Sequence, residues 1–73
     1  MTLAEIRPGN DVLIEEIPDR MVRAQAIRFG ISEGSVVSCF VRIPSGPIIL
    51  RKNFQEIALG QKLAQKIKVK FVR

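Results

Sequence analysis

With one cysteine and no histidine, this chain of 73 residues has nothing to staple it. Cys39 has no second thiol for a disulfide, and the usual zinc sets need histidine or further cysteines. Domains of this size are only marginally stable without such help. Side-chain packing alone must therefore hold the fold, which favours a compact barrel or a small bundle with short loops. The length allows one core, so residues 1–73 are expected to form a single domain.

The apolar pattern chooses between those shapes. Thr2 and Glu5 have the spacing of a capping box, Leu3 and Ile6 share one side of a single helical turn, and Pro8-Gly9 ends it. Asp11 to Ile17 reads as a strand, stopped by Pro18, which cannot donate to a ladder. Asp19 to Phe29 is the one clear helix, with Asp19 as N-cap, Gly30 in the left-handed C′ position and Ile31 as the apolar residue closing the cap. Val22, Ala26 and Phe29 share its apolar stripe. Arg20, Arg23 and Arg28 spread over the other side, with Ile27 among them.

Glu33-Gly34 is a turn. From Val36 to Ile43, strict alternation puts Val37, Cys39, Val41 and Ile43 on one face and Ser38 and Arg42 on the other. Pro44 to Pro47 is a loop, Ile48 to Lys52 a returning strand, Asn53 a turn residue and Phe54 to Leu59 a fourth strand. Gly60 opens a helical turn through about Gln65, and Ile67, Val69 and Phe71 then alternate with Lys66, Lys68 and Lys70. The prediction is a mainly β fold of about five strands, with one short helix between strands 1 and 2 and a short helical turn before the last strand. Short strands with tight connections suggest a barrel, because closure removes exposed edges.

The net charge of +5 is unevenly distributed. Residues 1–19 hold five acids against Arg7, a balance of −4, and residues 20–73 hold eleven bases against two acids, a balance of +9. Two readings follow: a surface for nucleic acid or another acidic partner, or an acidic segment folded back on the basic one. A lone cysteine fits a reducing compartment. The N-terminus lacks the basic and apolar regions of a signal peptide, and no apolar run approaches the length that spans a bilayer. A cytoplasmic location is the expectation.

Catalysis finds no support in these residues. Cys39 has no base partner and alternates with valines as a small buried hydrophobe does. Glu15 and Glu16 point to opposite faces of a strand, a poor arrangement for an acid–base pair. Without imidazole, ligands for Fe(II) reduce to seven carboxylates, enough for a weak or transient contact but not for a dedicated metal site. The lysines at 66, 68 and 70 either face phosphates or pair across a strand with Glu15 or Glu16; the second is favoured. The absence of tryptophan and tyrosine, with most phenylalanines at core-like positions, argues against base stacking and against an aromatic-lined groove for proline-rich peptides.

Read in order, several short motifs resemble one family. Leu3-x-x-Ile6-x-Pro8-Gly9 resembles the opening of FeoA domains. Val22 followed by Arg23 to Gly34 resembles their helix-to-turn signature, including Phe29-Gly30-Ile31-Ser32-Glu33-Gly34. Val41 to Leu50, with Pro44, Gly46, Pro47 and Ile48, resembles their hairpin. Ile57-Ala58-Leu59, Leu63-Ala64 and Ile67-x-Val69 resemble their closing segment. The resemblance implies an SH3-like barrel and a non-enzymatic docking role on the cytoplasmic, GTP-binding part of the ferrous-iron permease, the FeoB-like partner. A small basic nucleic-acid-associated barrel is the competing reading, and self-association through a strand edge or the helix is a third. Arg20, Arg23, Ile27, Arg28 and Phe40 are the expected partner-binding residues: an apolar side chain ringed by arginines has the composition of a small interface centre, and Phe40 lies opposite the Cys39 face.

Overall fold

A computed structural model describes residues 1–72. After a 3-10 turn at Leu3–Glu5, the chain forms β1 (Asp11–Glu16), α1 (Arg20–Arg28), β2 (Val36–Arg42), β3 (Ile48–Lys52), β4 (Gln55–Leu59), α2 (Gln61–Ala64) and β5 (Lys68–Phe71). The strands make one antiparallel sheet in the order β4-β3-β2-β1-β5. This is the expected plan of five strands, one helix after the first and a helical turn before the last.

Each element has a local cause. Thr2 and Glu5 form the capping box, with the Glu5 carboxylate accepting from the Thr2 amide at 2.9 Å. Asp19 Oδ1 accepts from the amides of Met21 and Val22 at 2.9 and 3.0 Å, satisfying two of the donors that a helix start leaves free. At the other end Gly30 has φ +81°, the Gly30 amide donates to Ile27, and the Ile31 amide reaches back to Ala26. That is a complete Schellman cap, and it needs a residue without a Cβ penalty at position 30. Asn53, φ +55°, turns the β3–β4 hairpin.

The curled sheet wraps a single apolar core. Leu3, Ile6, Val12, Ile14, Ile17, Ile31, Val37, Ile48, Leu50, Leu59, Ile67 and Val69 are its largest enclosed side chains. Val22 and Ala26 place α1 on it, and Cys39 is buried among them. The outer edge of β5 is taken by the first residues of the chain, where Met1 and Leu3 exchange main-chain hydrogen bonds with Val69 and Ile67. Among the described residues, no strand pairs with the outer edge of β4. The curl therefore stops short of hydrogen-bonded closure.

Three sequence expectations fail in particular places. Val41 and Ile43 do not share the buried face of Val37 and Cys39; both are exposed. The pairing shifts between Cys39 and Val41, where one extra residue in β2 turns the rest of the strand over. None of the phenylalanines lies in the core: Phe29, Phe40 and Phe71 are about half exposed, and Phe54 stands fully in solvent at the β3–β4 turn rather than in β4. The core is filled by aliphatic side chains instead.

Candidate functional site

Among the described residues, the acidic N-terminal segment makes little direct ion pairing with the basic remainder. Its carboxylates serve main-chain and hydroxyl donors: Glu5 caps Thr2, Asp19 caps α1, and Asp11 accepts from the Ser38 hydroxyl at 2.6 Å. Among the described residues, one ion pair bridges the two segments across β1 and β5, Glu16 to Lys68 at 3.5 Å, and both side chains are more than half exposed. The paired-strand reading of the lysine stripe thus holds at Lys68. Such an exposed pair contributes little to stability, and the net charge of the chain is +5.

The five expected partner-binding residues do not form one patch. Ile27 and Arg28 stand together, exposed, on the last turn of α1. Arg20 lies at the first turn, about 12 Å along the helix axis. Arg23 is committed within the chain. Its Nε and Nη2 donate to the Ile17 carbonyl at 3.1 and 2.9 Å, and Glu33 Oε2 lies 3.8 Å from its guanidinium. Glu33 also accepts from the Ile17 amide at 2.9 Å. Arg23 and Glu33 together clamp the end of β1 to α1.

Phe40 sits on the outer face of the sheet under the Arg51 guanidinium, 3.9 Å from the ring centre. Arg51 pairs with Glu56 of β4 at 3.0 Å. Asp11, Ser38, Arg51 and Glu56 are successive cross-strand neighbours, so one polar row crosses four strands, with Phe40 covering its centre.

Glu56 connects that row to the helix. A groove of about 510 Å³ runs between Ile27–Gly30 and Gln55–Ile57. A second depression of about 320 Å³ lies on the other side of Phe29, between Gln25, Arg28 and Leu63. Arg28 and Phe29 form the ridge between the two. Phe29, Glu56 and Leu63 belong to this surface and escape a reading of the sequence. The helical period assigns Phe29 to the core stripe, but as the C-cap residue it is 45% exposed.

Burial raises the Cys39 thiol above its ordinary pKa, with Arg42 opposing weakly. A protonated, enclosed thiol is a packing group and not a nucleophile. Among the described residues, no three histidine, cysteine, aspartate or glutamate side chains come together. No helix among them is long and apolar enough to cross a membrane.

Comparison with known proteins agrees with the architecture. Solved structures with the same fold include an iron uptake regulatory protein, FeoA, at TM-score 0.88 and 25% identity, over 99% of this chain and 100% of that one. The FeoA-like protein of Clostridium acetobutylicum matches at TM-score 0.88 and 24% identity, over 100% of this chain and 87% of its own. The FeoA of Stenotrophomonas maltophilia complexed with zinc, described as a prokaryotic SH3 domain protein, matches at TM-score 0.80 and 21% identity, over 96% and 89%. The fold is SH3-like. A search of curated proteins finds no match. The FeoA domain model matches residues 1–71, and the chain belongs to the FeoA domain family.

Proposed function

We propose that this chain is a non-enzymatic adaptor of bacterial ferrous-iron uptake, docking on the cytoplasmic, GTP-binding part of the iron permease. Family membership over nearly the whole length supports the role in ferrous-iron transport. The observation that carries the docking step is the exposed pair Ile27 and Arg28, set on a rigid capped helix beside a groove. An apolar anchor with an arginine beside it matches what dominates many interfaces. Phe40 adjoins that surface through Arg51 and Glu56, Arg20 offers a separate contact at the far end of the helix, and Arg23 sets the angle at which α1 presents Ile27 and Arg28. The S. maltophilia relative is proposed as a ferrous iron transport activating factor, and activation by docking is the same kind of role.

The test is a pull-down of the permease's cytoplasmic region by this protein at moderate salt. Retention that is lost with Ile27→Glu supports the reading. No retention of the permease region by a folded protein overturns it.

One observation favours a second reading, a nucleic-acid-associated barrel. All four phenylalanines are exposed, while the segment from residue 20 onward carries a balance of +9. Stacking rings and basic charge are the elements of single-strand binding. The salt dependence of DNA binding separates the two.

A further inference from the structure

We infer that the outer edge of β4 receives an extended segment of a partner protein as an added strand, with acidic residues beside apolar ones. The inference rests on the reading of this chain as a binding module, not on the permease as partner.

The alternation of main-chain hydrogen bonds identifies the free groups. The Ile43 amide donates to the Pro47 carbonyl at 3.2 Å, so that pair is hydrogen-bonded across β2 and β3. Arg42 and Ile48, the next pair, then turn their main-chain groups away from each other. Ile48, Leu50 and Lys52 accordingly face β4, and their register partners there are Leu59, Ile57 and Gln55. Beyond the bulge the same phase appears independently. Cys39 bonds toward β1, through Gly9 and Asn10, which leaves Ser38 and its partner Arg51 facing each other. Glu56, opposite Arg51, therefore points its amide and carbonyl outward, as does Ala58. β4 is the last strand of the sheet, and the loop, turn and cap hydrogen bonds do not use these groups.

The groove lies along that edge and not over a face. Consecutive strand residues alternate between faces, yet Gln55, Glu56 and Ile57 all line it. Its opposite wall is the end of α1. A second copy of this chain would bring its own β3 in behind its β4, on the side where the end of α1 stands, whereas a single extended segment has nothing behind it.

The lining sets the occupant's chemistry. Ile27, 58% exposed, and Phe29 offer apolar contact. Arg28 offers a positive charge, and the carboxylate of Glu56 is already held by Arg51. Lys52 donates to the Gly30 carbonyl at the end of the groove. An extended segment with apolar residues for Ile27 and Phe29 and acidic residues for Arg28 complements this lining, and strand addition supplies the main-chain bonds.

The experiment uses the whole protein labelled with nitrogen-15. The probe is a capped heptapeptide of alternating glutamate and valine, compared with its lysine–valine counterpart. The expected result is shifted resonances and slowed exchange for the Glu56 and Ala58 amides, with the lysine peptide weaker by about tenfold or more. Ala58→Pro removes an outward donor and no ladder bond, so it should keep the fold and abolish these changes. No change at Glu56 and Ala58 with millimolar peptide overturns the inference, as does undiminished binding by a folded Ala58→Pro protein. Protection of the two amides that grows with protein concentration alone also overturns it, in favour of a second copy. Peptide changes abolished by Ala58→Pro while permease binding survives support the edge and place the permease on another surface. Peptide binding at the edge without any permease binding keeps the edge and overturns the permease as partner.

Discussion

The guanidinium of Arg23 holds the carbonyl of Ile17 with two hydrogen bonds, at 3.1 and 2.9 Å. Ile17 is the last core residue before the chain leaves β1 for the helix, and its amide is held by Glu33. The contact fixes where α1 begins relative to the sheet. Arg23→Ala should destabilise the protein by about 1–2 kcal/mol, the lower range for hydrogen bonds to a charged group because the side chain is half exposed. Arg23→Lys should recover little, since a single ammonium cannot make the forked contact. Urea unfolding of the three proteins checks this; equal midpoints would show that the clamp carries no stability.

The surface pair Ile27 and Arg28 separates binding from folding. Ile27→Glu with Arg28→Gln should change stability by less than about 0.5 kcal/mol. It should weaken binding of the permease's cytoplasmic region by about 30-fold or more, the loss expected on removing a hot spot. Circular dichroism with thermal melting is the control, and calorimetry reads the affinity. A folded double variant with wild-type affinity would move the interface elsewhere.

Cys39→Ser puts a hydroxyl into an apolar core with no partner in view. The expected cost is about 1–3 kcal/mol, with partner binding preserved once the protein is folded. In the native protein the thiol should react with thiol reagents only as fast as the fold opens, because burial keeps it protonated and enclosed. Rapid labelling at low denaturant would place the side chain at the surface.

Asp19 gives the α1 start a dependence on acid. The amide of Val22, chiefly, with that of Met21, holds the carboxylate below its ordinary pKa of 3.8, against a smaller effect of desolvation. A lowered native pKa means that the contribution is fully present above 3.8 and is lost as pH falls through the native value. Asp19→Asn keeps a capping oxygen and cannot titrate. Its melting temperature relative to wild type should therefore rise as the pH is lowered through this window, and a constant difference would mean that the cap does not titrate.

DNA should not bind at physiological ionic strength. Binding by basic charge alone weakens steeply with salt, by roughly one power of salt concentration per phosphate contacted. Fluorescence anisotropy with single- and double-stranded oligonucleotides over a salt series measures it. Tight binding with a slope of several phosphates would favour the nucleic-acid reading over the adaptor.

What the sequence settled is what local chemistry and short-period patterning settle. Asp19 and Gly30 bracket α1 because an N-cap oxygen and a left-handed C′ residue are strong signals that no distant contact has to supply. The lysine alternation from residue 66 to 70 marked the last strand, and the ordered motifs pointed to the family. Tertiary structure decided the rest. The bulge at Phe40 depends on pairing with β3, so alternation alone placed Val41 and Ile43 on the wrong face. The helical period put Arg23 on the outside of α1, but only the packing of Ile17 and Glu33 against it makes it a clamp. Among the described residues, Met1 and Leu3 cover the edge of β5 and no segment pairs with the edge of β4. That choice is made between segments more than fifty residues apart, where no pattern of neighbouring residues can register it.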